Sequence, residues 1–257
     1  MAPIKLNYRE SGDGAPLVIL HGLFGSARNW HSVAPQLADN HWVICVDLRD
    51  HGNSPHGPAM GYQVMANDLK QLLAALDIDQ TSILGHSMGG KTTMWFAPTQ
   101  PRHVESLIVL DIAPVTYSDH YSHHIAAMQC LQLDGLLNRR AAEQQLTNTV
   151  TDPVIRQFLL QNLTRQSGML RWRINLDAIQ HGLPAIVAFP PPTALFSEPC
   201  RFIRGAKSTN VTTDHHTAIG RLFPNASITT VDNAGHWPHI ERPAEFLAAT
   251  ADFLDLR

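Results

Sequence analysis

The ten residues Thr81-Ser-Ile-Leu-Gly-His-Ser-Met-Gly-Gly90 join a short apolar run to a glycine-rich turn. Within them, residues 85–89 match the pattern Gly-x-Ser-x-Gly. This pattern predicts a sharp turn from a strand into a helix, which makes Ser87 project at the carboxyl end of a sheet. The flanking positions need glycine, because a Cβ atom there would collide with neighbouring backbone. The stretch therefore predicts an α/β fold and makes Ser87 a candidate nucleophile.

Short apolar runs on both sides of this stretch predict strands that are buried on both faces. Seven are expected: Ile4–Arg9, Leu17–Leu20, Val43–Val46, Thr81–Leu84, Leu107–Leu110, Arg201–Ile203 and Ser227–Val231. Helical patterns lie between them, as in Tyr62–Leu76, where apolar residues recur at intervals of three and four. The alternation predicts a mostly parallel, doubly wound sheet.

This alternation lapses between Pro114 and Pro199, where the pattern predicts helices such as Ser122–Leu133 and Pro153–Leu163. We expect a core formed by residues 1–113 and 199–257, with residues 114–198 inserted as a helical cap. The cap has six arginines and six acidic residues. This balance favours a neutral substrate.

Composition excludes several classes of protein. The chain has 257 residues and a net charge of −3, without a basic block, so nucleic-acid binding is not expected. It lacks an apolar leader and a run of about 18 apolar residues, which indicates a cytoplasmic protein without a membrane span. Cys45, Cys130 and Cys200 are expected to be buried thiols.

Neither a nucleotide cofactor nor a bound metal is expected. The chain has no Gly-x-Gly-x-x-Gly or Walker motif. The tract Asp119-His-Tyr-Ser-His-His124 resembles a metal site, but no His-Glu-x-x-His pattern or carboxylate-rich loop supports it.

Fifteen histidines are candidates for the base that would activate Ser87. In a fold of this type the chain order is serine, acid, histidine. His236 follows the last predicted strand and fits that order, with His239 as its rival. His21 and His86 are expected to be structural, since each lies in a glycine-flanked turn beside a strand.

The acid has two candidates. The usual place is the loop after the strand Arg201–Ile203, but the position three residues past Gly205 holds Ser208. Asp111 ends the run Leu107–Leu110, so it would reach an imidazole above Ser87 from the carboxyl edge of the sheet. Asp111 is the expected acid and Asp214 the alternative.

Two loops are expected to shape the reacting centre. Backbone N–H groups of Leu23, in the loop after the strand Leu17–Leu20, and Met88 would bind an oxyanion, with Phe24 as the substitute for Leu23. Residues 47–54 are expected to form a turn in the pocket wall.

Six motifs extend this interpretation across the chain, in order from Leu20 to His239. They are HGLFGS (21–26), VDLRDHGNSP (46–55), GHSMGGK (85–91), LDIAP (110–114), RWRINLDAI (171–179) and NAGHWPH (233–239). Together they resemble the YbfF-like esterases of the α/β-hydrolase superfamily. The resemblance implies a Ser–His–Asp hydrolase with a small helical lid, acting on short-to-medium acyl esters and sometimes thioesters. It assigns the acid to Asp111.

Several other functions stay open at this stage. An acyl-CoA thioesterase would use the same residues, with Arg165, Arg171 and Arg173 available to the CoA phosphates. Carbon–carbon hydrolases, lyases and non-catalytic receptors share the fold. Dehalogenases and epoxide hydrolases are disfavoured, because they need a carboxylate where Ser87 stands.

Overall fold

A computed structural model describes residues 2–136 and 138–255 of the chain. A seven-stranded sheet has the order β1-β3-β2-β4-β5-β8-β9, and a separate hairpin pairs β6 with β7. The strands are β1 (Asn7–Ser11), β2 (Ala15–Leu20), β3 (His41–Asp47), β4 (Thr81–His86), β5 (Val104–Leu110), β6 (Leu163–Gln166), β7 (Met169–Trp172), β8 (Cys200–Gly205) and β9 (Ala226–Val231). The helices are α1 (Ala34–Leu37), α2 (Tyr62–Ala75), α3 (Met88–Thr99), α4 (Ser122–Gln129), α5 (Arg139–Leu146), α6 (Pro153–Leu160), α7 (Leu176–Val187), α8 (His216–Leu222), α9 (Pro238–Glu241) and α10 (Pro243–Leu254).

All seven predicted strands are present in the large sheet, although β1 begins three residues later than expected. Strands β2, β3, β4, β5, β8 and β9 are parallel to one another, and the edge strand β1 is antiparallel to β3. The prediction of a mostly parallel α/β sheet is therefore confirmed. Because parallel strands end at the same edge, the loops after β2, β4, β5, β8 and β9 meet there.

Side chains of one strand alternate between the two faces of the sheet. In β2, Val18 and Leu20 join the cluster that includes α2 and α3, whereas Leu17 and Ile19 join the cluster that includes α1 and α10. The central strands β2, β3, β4 and β5 thus bury both faces along most of their length, as the continuous apolar runs predict, whereas the edge strands β1 and β9 are more exposed. The packing fixes the strand ends, and with them the loops that they position.

Among the residues that the structure describes between β5 and β8 there are four helices and the hairpin. Helices α4 and α6 begin where expected but end earlier, at Gln129 and Leu160. The hairpin β6–β7 was not predicted; its turn places Ser167 and Gly168 at φ of 48° and 82°, as two-residue hairpin turns require. The limits of the cap, residues 114 and 198, stay a prediction.

Some further predictions have a structural outcome. Cys45 and Cys200 are buried, but the expectation for Cys130 was wrong, since it is exposed at the end of α4. Across residues 2–136 and 138–255, no helix has the length and apolar character needed to cross a bilayer. The expected core ends at residues 1 and 257 lie outside the described residues.

Candidate active site

Ser87 occupies the turn between β4 and α3 with φ 51° and ψ −115°, a conformation that non-glycine residues rarely adopt. Glycine is needed on both sides. A Cβ atom on Gly85 would lie 2.5 Å from the Gly89 carbonyl oxygen, and one on Gly89 would lie 2.6 Å from that of His21. The expected collisions are confirmed. The turn holds Ser87 at the positive end of α3, where an anion is stabilised.

The loops after β5 and β9 bring Asp111 and His236 together. His236 Nδ1 lies 2.8 Å from Asp111 Oδ2, and the Asp111 carboxylate is fully buried. An Nδ1–H group that donates to this carboxylate leaves the lone pair of Nε2 free to accept a proton. The imidazole is thereby held in the tautomer that a general base needs.

Three further donors hold the Asp111 carboxylate in place. Oδ1 accepts from the Gly205 N–H at 3.0 Å, while Oδ2 accepts from Ser208 Oγ at 2.5 Å and from Asn210 Nδ2 at 3.3 Å. Asn210 Nδ2 also lies 2.7 Å from His236 Nδ1, but it donates to the carboxylate and not to this nitrogen, whose proton is directed at Asp111. Ser208, which occupies the usual position of the acid after β8, therefore supports the carboxylate of Asp111, which follows β5.

Ser87 and His236 line one cavity of about 120 Å³. The Ser87 side chain contacts the phenol of Tyr121, which precedes α4. Burial raises the pKa of this phenol, and a hydrogen bond with Ser87 opposes the rise. The segment after β5 thus places a side chain directly on the candidate nucleophile.

Two backbone N–H groups beside Ser87 are available to an oxyanion. Among the described residues, those of Leu23 and Met88 have no hydrogen-bond acceptor. The N–H of Phe24 donates to His51 Nε2 at 3.2 Å, which burial keeps neutral by lowering its pKa to about 3. Because the Phe24 N–H is already engaged, Leu23 is the better candidate for the oxyanion donor in this loop.

The rival acid lies apart from this centre. Asp214 is exposed in the turn Thr213–His215. The geometry brings Asp111, rather than Asp214, to His236.

The rival base and the two structural histidines are all buried. His239 stacks on Trp30 at 4.3 Å, and burial lowers its pKa to about 3. His86 Nε2 lies 2.9 Å from the His236 carbonyl oxygen, while His21 accepts from the Leu48 N–H and donates to the Gly22 carbonyl. Burial also lowers the pKa of His86 and His21, so both are neutral supports of the loops.

Comparisons with known proteins agree with this geometry. A family model described as "alpha/beta hydrolase fold" matches residues 15–152. The chain is 42% identical to the mouse (Mus musculus) sn-1-specific diacylglycerol lipase ABHD11, over 99% of this chain and 86% of that protein. It is 33% identical to the Escherichia coli esterase YbfF, over 98% of this chain and 100% of that protein. A solved structure titled "Marine microorganism esterase" superposes with a TM-score of 0.94 at 37% identity, covering 97% of this chain and 99% of that one.

The chain belongs to the α/β-hydrolase family, among the YbfF-like esterases. In this α/β-hydrolase, Ser87 borders two cavities of different character. The tryptophan cavity is the 120 Å³ space already described, and its walls include Phe24, Ile155, Phe158 and Trp237. Helix α6 supplies Ile155 and Phe158, so this wall is largely hydrocarbon and aromatic ring.

The lysine cavity, of about 50 Å³, lies on another side of Ser87. Its walls include Lys91 from α3, Tyr62 from α2, Ile186 from α7, Tyr117 and Asn210. Leu23 and Tyr121 border both cavities of the α/β-hydrolase. The reacting centre therefore borders one space without a cationic side chain and a second that contains the buried Lys91.

Two other sets of residues were named from the sequence, the tract 119–124 as a possible metal site and the cap arginines as possible phosphate ligands. The described residues contain no group of three or more histidine, cysteine or acidic side chains that could hold a metal ion. Arg171, on the hairpin of this α/β-hydrolase, pairs with Asp134 at 2.9 Å in an exposed position.

Sequence reasoning missed Tyr121, Asn210 and Lys91. Lys91 had a usable signal, because it is the one charged residue in the run Met88–Thr99 that follows the turn. Tyr121 and Asn210 had none, since their partners lie 34 and 26 positions away in the sequence, in other loops of the α/β-hydrolase.

Proposed function

We propose that the protein is a serine carboxylesterase that hydrolyses short-to-medium acyl esters, with Ser87 as nucleophile, His236 as base and Asp111 as the acid. The observation that carries the proposal is the contact of His236 Nδ1 with the buried Asp111 carboxylate, together with the cavity that His236 and Ser87 both line. The named esterase and lipase relatives support this reaction class. A small-molecule ester is the expected substrate.

In the acylation step, Ser87 Oγ forms a bond to the acyl carbon while His236 Nε2 takes its proton. The carbonyl π electrons move to oxygen, where the N–H groups of Leu23 and Met88 receive the charge. Each such donor contributes about 3 kcal/mol to the transition state. Collapse of this intermediate breaks the bond to the leaving alcohol, which departs with the proton held by His236.

Deacylation repeats the sequence with water. His236 removes a proton from water, the hydroxide oxygen bonds to the acyl carbon, and Ser87 leaves as it regains the proton. Asp111 stabilises the imidazolium in both halves and stays ionised. Its three other donors suit this role, because they compensate a buried carboxylate.

Ser87→Ala tests the nucleophile. It should lower kcat on p-nitrophenyl butyrate by about a thousandfold or more, because the covalent step is lost while the oxyanion site remains. A fluorophosphonate probe should label the wild type and not the variant. The exposed residue Ser32 gives a matched control, Ser32→Ala, which should retain both properties. Near-normal turnover by Ser87→Ala would refute the proposal.

A further inference from the structure

Lys91 is a buried cation one helical turn beyond Ser87. Its backbone N–H donates to the Ser87 carbonyl oxygen at 2.9 Å, and the residue is 2% exposed. Residues four apart share one face of a helix, and their side chains lean towards the helix N-terminus. The Lys91 side chain therefore extends along the face that carries Ser87, and both residues line the lysine cavity.

No acidic residue in the described part of the chain neutralises this cation. Among the described residues, no carboxylate oxygen lies within 4.0 Å of Lys91 Nζ. The contrast is Arg49, which is equally buried and pairs with Asp68 at 2.7 Å. Buried charges are normally paired, because desolvation of a lone charge is costly. Lys91 departs from this rule beside the reacting centre.

Its contacts leave one donor for a ligand. Lys91 Nζ donates to the carbonyl oxygens of Val187 at 2.8 Å and Ala188 at 3.1 Å, at the end of α7. The rings of Tyr117 and Tyr62 have their centroids 4.7 Å and 5.9 Å away. An ammonium group has three donors. In the described chain, no oxygen accepts from the third.

We propose that the lysine cavity binds the carboxylate of a substrate that is a monoester of a short dicarboxylic acid, with the Lys91 ammonium as its partner. The inference rests on the proposed function, because the ester group must lie at Ser87. A space of about 50 Å³ suits a small group of this kind. The sequence favoured a neutral substrate because the charges of the cap balance. Lys91 was not part of that argument, since it lies on α3 in the core.

A purely structural role is the alternative. Lys91 would then only tie α3 to the carbonyl end of α7, where cations are stabilised. That role affects a charged and an uncharged substrate alike. The ratio of kcat/KM for a charged and an uncharged substrate therefore separates the two roles. A loosened cap would lower both rates by the same factor and leave this ratio unchanged.

The substrate pair is monoethyl succinate and ethyl 4-methylpentanoate, whose branched end has the shape of a carboxylate without its charge. The wild type should favour the anionic ester in kcat/KM by about tenfold or more. Lys91→Met should remove this preference. The matched control is Lys70→Met, the same change at an exposed position on α2, and it should leave the ratio unaltered. An unaltered ratio in Lys91→Met, or a wild type that favours the neutral ester, would overturn the inference.

The pH dependence of the ratio gives a test that needs no disruptive variant. Burial lowers the pKa of Lys91 to about 7. The ammonium is charged below this pKa and neutral above it, so the preference for the anionic ester should decline as pH rises through about 7. Lys91→Arg should keep the preference and lose its pH dependence, because a guanidinium stays charged.

Other titrating groups near Lys91 are Tyr62, Tyr117, Tyr121 and His120. Burial raises the pKa of the three tyrosines, so they stay neutral over this range. His120 is exposed and borders the lysine cavity. If the pH dependence persisted in Lys91→Arg, His120 would be its source and the inference would fail.

Failure of the inference differs from failure of the proposed function. Hydrolysis of p-nitrophenyl butyrate without hydrolysis of monoethyl succinate would overturn only the carboxylate site. Absence of hydrolysis of every ester, together with no labelling of Ser87 by the fluorophosphonate, would overturn both.

Discussion

The tryptophan cavity and the lysine cavity differ in chemistry although both border Ser87. The first has walls of Phe158, Ile155 and Trp237, whereas the second contains a buried cation between two tyrosine rings. An ester also has two unlike parts, an acyl group and an alcohol. The difference suggests that one reacting centre serves two recognition sites, each for one part of the substrate.

The core and the cap contribute different parts of the site. Loops at the carboxyl edge of the sheet hold Ser87, Asp111 and His236, and their glycines and buried hydrogen bonds leave little freedom. Helices α6 and α7 supply walls on the cap side. We therefore expect changes at the centre to affect all substrates and changes in a wall to affect only some.

The largest expected effect is that of Asp111→Asn. Loss of the carboxylate removes the charge that stabilises the His236 imidazolium and the tautomer it needs, so kcat should fall by about a thousandfold or more. Because the centre is shared, monoethyl succinate and ethyl 4-methylpentanoate should lose rate equally, as measured by steady-state kinetics.

The control is Asp214→Asn, at the exposed rival position, which should stay within about twofold of the wild type. The assignment of Asp111 would be wrong if only Asp214→Asn lost activity. Unequal losses of Asp111→Asn on the two esters would instead contradict the view that one reacting centre serves both substrates.

Phe158→Ala should alter selectivity in the tryptophan cavity. Phe158 packs against Trp237, with ring centroids 5.6 Å apart. If a monoester of succinate places its acid in the lysine cavity, its alcohol lies here, where each buried CH₂ contributes about 0.8 kcal/mol. The preference for monobutyl over monoethyl succinate in kcat/KM should fall about fivefold.

Val154 gives the matched control on the same helix, because its side chain is 63% exposed. Val154→Ala should leave the preference for the longer alcohol unaltered. Were Phe158→Ala to do the same, the alcohol would lie elsewhere, and the proposed division of the substrate between the cavities would be untenable.

The sequence predicted the core better than the cap, for a physical reason. Strands buried on both faces must be continuous apolar runs, so the central strands β2, β3, β4 and β5 could be recognised, and the glycines around Ser87 are dictated by local collisions. The hairpin β6–β7 is short, with exposed polar residues at Arg165 and Gln166, so periodicity does not reveal it. Its Ser167-Gly168 turn was the overlooked signal.

Within the site, residues at strand ends were predictable and long-range partners were not. Asp111 could be found because the usual acid position holds Ser208, and His236 because of chain order. The contact of Lys91 with the Val187 carbonyl joins residues 96 positions apart. No local pattern encodes such a contact, so the presence of a buried cation in the lysine cavity could be seen only in the three-dimensional structure.

The effect expected of Ser208→Ala is similar in size to that of Phe158→Ala and far smaller than that of Asp111→Asn. Ser208 Oγ donates to Asp111 Oδ2 at 2.5 Å, but Gly205, Asn210 and His236 also hold the carboxylate. Loss of one donor of four should lower kcat about threefold to tenfold, since a hydrogen bond to a charged group contributes about 1.5–3 kcal/mol and the remaining donors compensate in part.

The loss in Ser208→Ala should be the same for monoethyl succinate and ethyl 4-methylpentanoate, because Ser208 acts through Asp111 and borders neither cavity. Ser197→Ala, at an exposed serine, should have no effect on either ester. A loss as large as that of Asp111→Asn would mean that Ser208 positions the carboxylate alone. A loss confined to the anionic ester would instead mean that Ser208 helps to bind the substrate carboxylate. The distinction between a centre common to all substrates and two selective cavities would then not hold at Ser208.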